Sequence, residues 1–234
     1  MPYQPRHLAL HPDIAGPAKV RYAHRVAAAV LALLFLTCAI SVWRSFYWVG
    51  AFDGVVQSLV YPLQSLGLAG FFTCLTFLGE TPSVLLWAVL ICLVLLCQHN
   101  WRKATLVAAA TAVGEISLYL VKFLVGRPRP QGHNLIALPD SASFISGHAF
   151  GSCLIGLMLA ALLFGYLRRR GLPRAVQCLP YLLLSLVALL IAFSRLYLGV
   201  HWPSDVLGGW LWSLAIVILI SPALIRPPRL KEPK

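Results

Sequence analysis

The chain has 234 residues, 59% of them hydrophobic and only 11% charged, and its mean hydropathy is +0.80. A soluble domain of this length needs more charge than that to cover its surface, so the composition excludes one. The formal net charge of +12 would suit a nucleic-acid binder. The basic residues, however, stand in short clusters between apolar runs. Nucleic acid is therefore excluded as a partner, and the clusters read as topology signals and contacts to anionic headgroups of the bilayer.

In chain order, the apolar runs predict an all-α polytopic bundle of six transmembrane helices: about Val26–Trp43, Ser83–Gln98, Ala104–Leu124, Ala149–Leu167, Ala175–Arg195 and Asp205–Leu224. The first follows the basic stretch Lys19–Arg25. It is long, with no small-residue cleavage site before Trp43-Arg44, and reads as a retained anchor rather than a signal peptide. The apolar segment Gly54–Leu78 is interrupted by Gln57, Pro62, Gln64, Ser65 and glycines, which predicts an interfacial or partly buried helix, not a seventh crossing.

Placing both termini in the cytoplasm leaves Arg6, Lys19, Arg21, Arg25, Arg102, Lys103, Arg168, Arg169, Arg170, Arg174, Arg226, Arg229, Lys231 and Lys234 inside, fourteen of the 19 basic residues. Arg44, Lys122, Arg127, Arg129 and Arg195 remain outside, the bias expected of a correctly oriented bundle. The expected organisation is a basic cytoplasmic tail (1–25), a membrane domain (26–224, catalytic core about 79–224) and a second basic tail (225–234). The six cysteines read as small buried apolar side chains. Neither a disulfide framework nor a metal site is expected from their spacing. The absence of N-x-S/T sequons agrees with a bacterial inner membrane, and no oligomeric state follows from the sequence.

Charged groups at membrane depth are costly and mark function. In this topology three polar groups gather at the outer ends of four helices. Lys122 closes the third span and precedes Gly126-Arg127-Pro128-Arg129-Pro130. Ser146-Gly147-His148 opens the fourth. Ser194-Arg195 closes the fifth, and His201 and Asp205 lead into the sixth. Singly, Lys122 or Arg195 reads as a snorkelling residue, His148 as an interfacial histidine, and Asp205 as a helix-start residue. Together they make a site suited to an oxyanion. Lys122, Arg129 and Arg195 supply fixed positive charge, which phosphoryl transfer needs above all. Ser146-Gly147 places backbone N–H groups at a helix N-terminus. Of two histidines, one can attack phosphorus and one can protonate the leaving oxygen. Asp205, four residues after His201, can hold its Nδ1 proton. No metal or other cofactor is required.

Lys122-x6-Arg129-Pro130, Ser146-Gly147-His148 and Ser194-Arg195-x5-His201-x3-Asp205 resemble the three signature motifs of the type-2 phosphatidic acid phosphatase (PAP2) superfamily, with ten specified positions in the family's order and spacing. The resemblance spans about Gly79 to Leu224. It implies a helical bundle with its site near the membrane–water boundary. It further implies His201 as nucleophile, Asp205 as its orienting partner, and His148 as acid and then base. Lys122, Arg129, Arg195, Ser146 and Gly147 would hold the phosphate. The family's second motif usually begins with proline. Ile145 stands there instead and is expected to loosen the loop. Arg127 is outside the motif and reads either as a surface arginine in a proline-rigid turn or as an auxiliary phosphate contact. Trp202, Tyr197 and Trp210 fit an aromatic belt, and Glu115 in the third span calls for a partner.

The expected function is metal-independent hydrolysis of a lipid phosphate or diphosphate at the outer membrane face, through a phosphohistidine. An isoprenoid diphosphate such as undecaprenyl diphosphate is favoured over phosphatidylglycerophosphate or phosphatidate. The competing expectations are a phosphotransferase acting on a lipid A-type acceptor with the same site, and a lipid-binding or transport protein that retains only the pocket. The histidine pair argues against the last, because binding needs cations but no acid and nucleophile.

Overall fold

A computed structural model of the chain describes residues 17–226. Its elements are α1 (Pro17–Trp43), α2 (Tyr47–Val60), a 3-10 turn (Tyr61–Leu66), α3 (Ala69–Thr76), α4 (Thr81–Cys97), α5 (Trp101–Val125), α6 (Gly147–Arg169), α7 (Arg174–Tyr197) and α8 (Pro203–Ile225). Among the described residues there is no strand. The boundaries follow local chemistry. Pro82 and Pro203 fill first-turn positions whose N–H groups have no partner in a helix, and Gly126 ends α5 in the left-handed region at φ 60°. Helix α1 starts at Pro17 rather than Val26, because the hydropathy pattern marks only the part of a helix that meets lipid. The outer parts of both expected tails, with Arg6, Arg229, Lys231, Lys234 and the side chain of Lys19, lie outside the described residues.

Five helices (Arg21–Trp43 of α1, then α5, α6, α7 and α8) are long and apolar enough to cross a membrane. Helix α4 has 17 residues, about 25 Å at 1.5 Å per residue, and is the shortest of the six expected spans. Helix α6 is the centre of the bundle, packed on α7, α8 and α4, while α1 lies against α8 and α4 against α5. Phe144, Phe150, Leu154 and Met158 are fully enclosed. Small residues let the helices close on one another: a Cβ on Gly151 would lie 2.5 Å from Val84, and one on Gly165 2.7 Å from the Ile225 carbonyl. Leu182, Leu183 and Leu186 on α7, like Leu86 and Val89 on α4, face outward, as a lipid-facing surface requires. Glu115 on α5 receives Thr81 Oγ1 at 3.4 Å, the partner its position called for.

The segment between α1 and α4 turns through 112° between Tyr47–Leu66 and Ala69–Gly79, at Gly67 with φ 69°. Along its length it touches one end of the bundle. Asp53 meets Ser204 at the start of α8, Gln64 donates to the carbonyls of His133 and Tyr197, and Gly79 lies against His148 and Ile191. It therefore caps that end, where α5 and α7 stop and α6 and α8 begin. The bent pair is apolar and long enough to count as one broken span or as a re-entrant segment.

Candidate active site

The capped end carries the polar cluster. Lys122, Arg129, Gly147, His148, Arg195 and His201 line one cavity of about 230 Å³, with Glu80 at its side. They arrive from five different helix ends and loops. Lys122 is in the last turn of α5, Gly147 and His148 open α6, and Arg195 sits in the last turn of α7. Arg129 and His201 come from the two connecting loops. Lys122 Nζ donates to the Ala142 carbonyl at 2.5 Å. Arg129 is fixed by Nε to the Ser141 carbonyl at 2.9 Å, by Nη2 to Ser141 Oγ at 3.1 Å, and by Nη1 to the Val200 carbonyl at 2.8 Å.

His201 is 3% exposed. Its Nε2 faces Arg129 Nη1 at 3.2 Å, and its Nδ1 lies 3.3 Å from Asp205 Oδ2 and 3.4 Å from Ser143 Oγ. A guanidinium offers only donors, so the nitrogen facing it carries the lone pair and Nδ1 carries the proton. Burial, with Arg129, Lys122 and Arg195 nearby, holds the His201 pKa well below its ordinary value. Nε2 therefore presents its lone pair to Arg129 at the cavity wall.

Asp205 is fully buried and accepts from four groups. Oδ1 takes Arg127 Nη1 at 2.7 Å. Oδ2 takes the Trp202 N–H at 2.9 Å, the Ser143 hydroxyl, and His201 Nδ1. Two cavity residues carry buried polar atoms without a hydrogen bond among the described residues: His148 Nε2 and Arg195 Nε. Glu80 Oε1 is 3.9 Å from the first, while Arg195 is held through Nη1 to Thr76 Oγ1 at 2.8 Å. Buried polar groups are normally satisfied, so an anion able to accept from both fits here.

Three sequence expectations find different places. Ser146 does not line the cavity. It caps α6, its Oγ accepting from the Ala149 N–H at 3.5 Å, and its own N–H is spent on the Asp205 carbonyl at 3.1 Å. Arg127 does not line it either. Its guanidinium joins Asp205 to Asp53 at 2.6 Å and lies over the Trp202 ring at 5.1 Å. Ile145 is fully enclosed, against the position that a Cβ on Gly208 would take. Close packing holds the loop that Ile145 was expected to loosen. Sequence reasoning missed Asp53, Ser143 and Glu80. Asp53 had a signal, being a lone carboxylate in the apolar run Val49–Val60. Ser143, one of several serines in a loop, had none.

Residues 103–226 match the PAP2 superfamily. The chain is 40% identical over 128 residues to decaprenylphosphoryl-5-phosphoribose phosphatase of Mycobacterium tuberculosis, across 53% of this chain and 63% of that one. It is 32% identical over 151 residues to undecaprenyl-diphosphatase BcrC of Bacillus subtilis, across 62% and 69%. The chain thus spans just under two thirds of the first of these relatives. In fold it is similar to the crystal structure of a transmembrane PAP2 type phosphatidylglycerolphosphate phosphatase from Bacillus subtilis, with a TM-score of 0.72 over 82% of this chain and 93% of that one at 24% identity. With a matched segment that contains all three motifs and folds them around one cavity, the chain belongs to the PAP2 superfamily.

Proposed function

We infer that the protein hydrolyses a phosphate or diphosphate carried on a membrane lipid, an isoprenoid diphosphate first, through a phosphohistidine and without metal. One observation carries the reading. The unprotonated Nε2 of His201 lies in a cavity with His148, Lys122, Arg129 and Arg195, while its Nδ1 is held on Asp205. His201 Nε2 bonds to phosphorus as the bond to the leaving oxygen breaks, and His148 gives that oxygen its proton. The Nδ1 proton stays with Asp205 at hand to stabilise the charged ring. Water then attacks phosphorus and passes a proton to His148. The phosphorus–nitrogen bond breaks, and Nε2 regains its lone pair. The three cations stabilise charge on the phosphoryl oxygens throughout.

The isoprenoid preference rests on two of these relatives, a decaprenylphosphoryl-5-phosphoribose phosphatase and an undecaprenyl-diphosphatase, whose substrates both carry a polyprenyl chain. The outer-face assignment rests on the distribution of Lys and Arg.

The test is phosphate release by detergent-solubilised protein in the presence of a chelator. The panel is undecaprenyl diphosphate, phosphatidylglycerophosphate, phosphatidate and lipid A, and each assay is run beside His201→Ala. Release that disappears in the variant, with transient acid-labile labelling of the wild type, supports the reading. Label moving to a second lipid without free phosphate would make the protein a transferase. No release and no transfer from folded protein would sink the enzymatic reading.

A further inference from the structure

Asp53 lies on α2, outside the 103–226 segment that matches the family, yet it reaches the nucleophile's partner through one residue. It is 2% exposed, and three donors converge on its carboxylate. The Ser204 N–H reaches Oδ1 at 2.8 Å, while Ser204 Oγ and Arg127 Nη2 reach Oδ2 at 2.8 and 2.6 Å. Arg127 uses its other terminal nitrogen, Nη1, for Asp205 Oδ1 and Ser204 Oγ, each at 2.7 Å. The guanidinium is thus clamped between two carboxylates, with the Trp202 ring on its face.

We propose that Asp53 is a positioning residue for phosphoryl transfer: by fixing Arg127 it fixes Asp205, and through Asp205 the ring of His201. The inference rests on the phosphohistidine reading above. Arginine is a long side chain with many rotamers, and here it leaves from a loop. A single contact to Asp205 would let that carboxylate move with it. The second carboxylate and the aromatic face remove that freedom, so Asp205 Oδ2 keeps its aim at His201 Nδ1. Misplacement of a reacting group by about 1 Å can cost on the order of 100-fold in rate.

A purely structural role must be separated from this one. The Ser204 N–H is one of the unpaired donors in the first turn of α8, and Asp53 caps it from another helix. Asp53→Asn separates the two roles. Its amide oxygen still accepts the Ser204 N–H and its amide nitrogen can donate to Ser204 Oγ, so the cap survives. Toward Arg127 it presents a donor against a donor, so the clamp opens.

The experiment compares wild type, Asp53→Asn, Arg127→Met, the double variant and His201→Ala as full-length solubilised protein. It reads thermal melting, KM and kcat for phosphate release, and inhibition by inorganic orthovanadate, which mimics the transferring phosphoryl group. Expected is a fall in kcat of about 10- to 100-fold in Asp53→Asn, with KM unchanged, the vanadate inhibition constant raised in step, and a lowered melting temperature, as the loss of a buried ion pair requires. The double variant should be no slower than Arg127→Met, because the two residues act in one chain. Wild-type kcat in Asp53→Asn overturns the proposal. So does multiplicative loss in the double variant, or a kcat loss with an unchanged vanadate constant, which marks misfolded protein. If Arg127→Met does not fold, Asp53→Asn alone decides through the kcat and vanadate readings. Wild type that equals His201→Ala in releasing nothing sinks the phosphatase reading and this inference with it. An active wild type, a dead His201→Ala and an unaffected Asp53→Asn sink this inference alone.

Discussion

Ser146 donates its backbone N–H to the carbonyl oxygen of Asp205 at 3.1 Å, tying the loop that opens α6 to the helix that carries the partner of His201. The tie needs the two helices very close together at this point. Gly209 provides that closeness: a Cβ there would sit 3.0 Å from the Ser146 oxygen and 3.1 Å from the Phe150 nitrogen, both backbone atoms. Gly209→Ala is expected to lose about 1–3 kcal/mol of stability, with a fall in kcat, read by thermal melting and phosphate release. Gly70→Ala, where a Cβ meets nothing within 4 Å, is the control. It should melt at the same temperature or slightly higher.

Arg129 makes directional bonds with three of its nitrogens, and one of them faces His201 Nε2. A lysine at this position is a single charged point and reproduces one of these contacts at most. Arg129→Lys is therefore expected to lower kcat/KM by roughly 100-fold, the cost of losing one preorganised donor to transition-state charge. A loss of only two- or threefold in steady-state kinetics would mean that charge alone matters at this position.

Ser143 bonds Asp205 Oδ2 and lies 3.4 Å from His201 Nδ1. Ser143→Ala removes one neutral donor to a buried carboxylate, an interaction on the order of 1.5–3 kcal/mol. The expected kinetic result is a kcat loss of about 10- to 100-fold with KM unchanged, smaller than that of His201→Ala.

The depressed pKa of His201 has a definite sign in two measurements. In the proposed mechanism the attacking form is the neutral ring, so the acid limb of kcat/KM set by His201 should lie well below the ordinary value near 6.5. For stability, the folded pKa is below the unfolded one. The contribution of the neutral ring is therefore full above about pH 6.5 and is lost as pH falls from there toward the folded pKa. His201→Ala should accordingly lose less melting temperature than wild type between pH 7 and pH 5. An acid limb at 6.5 or higher, assigned to His201 by its loss of the phosphoenzyme, would contradict this.

The helices were readable in the sequence because length and hydropathy define a span, and the structure moves their ends by only a few residues at α5 and α8. The motif residues were readable because charge is rare in this chain, so Lys122, Arg195 and Asp205 stand out against apolar neighbours. The clamp was not. Arg127 is separated from Asp53 by more than seventy positions, and no periodicity links a carboxylate in one apolar helix to an arginine in a loop. The role of Ser146 was hidden for a related reason. Spacing places it at a helix N-terminus but does not reveal that its N–H faces another helix.

Gly199, at φ 70°, passes so close to the His133 carbonyl that no side chain fits there. Loops ordinarily absorb insertions with little effect, yet here two of them are locked together, and the connections that carry Arg129 and His201 have no slack. The turn at Gly171 differs, because a Cβ there meets nothing within 4 Å and its neighbours are exposed. A reporter tag or a fused soluble domain belongs at that turn, whereas even a single residue added beside Gly199 would separate the histidine from its site.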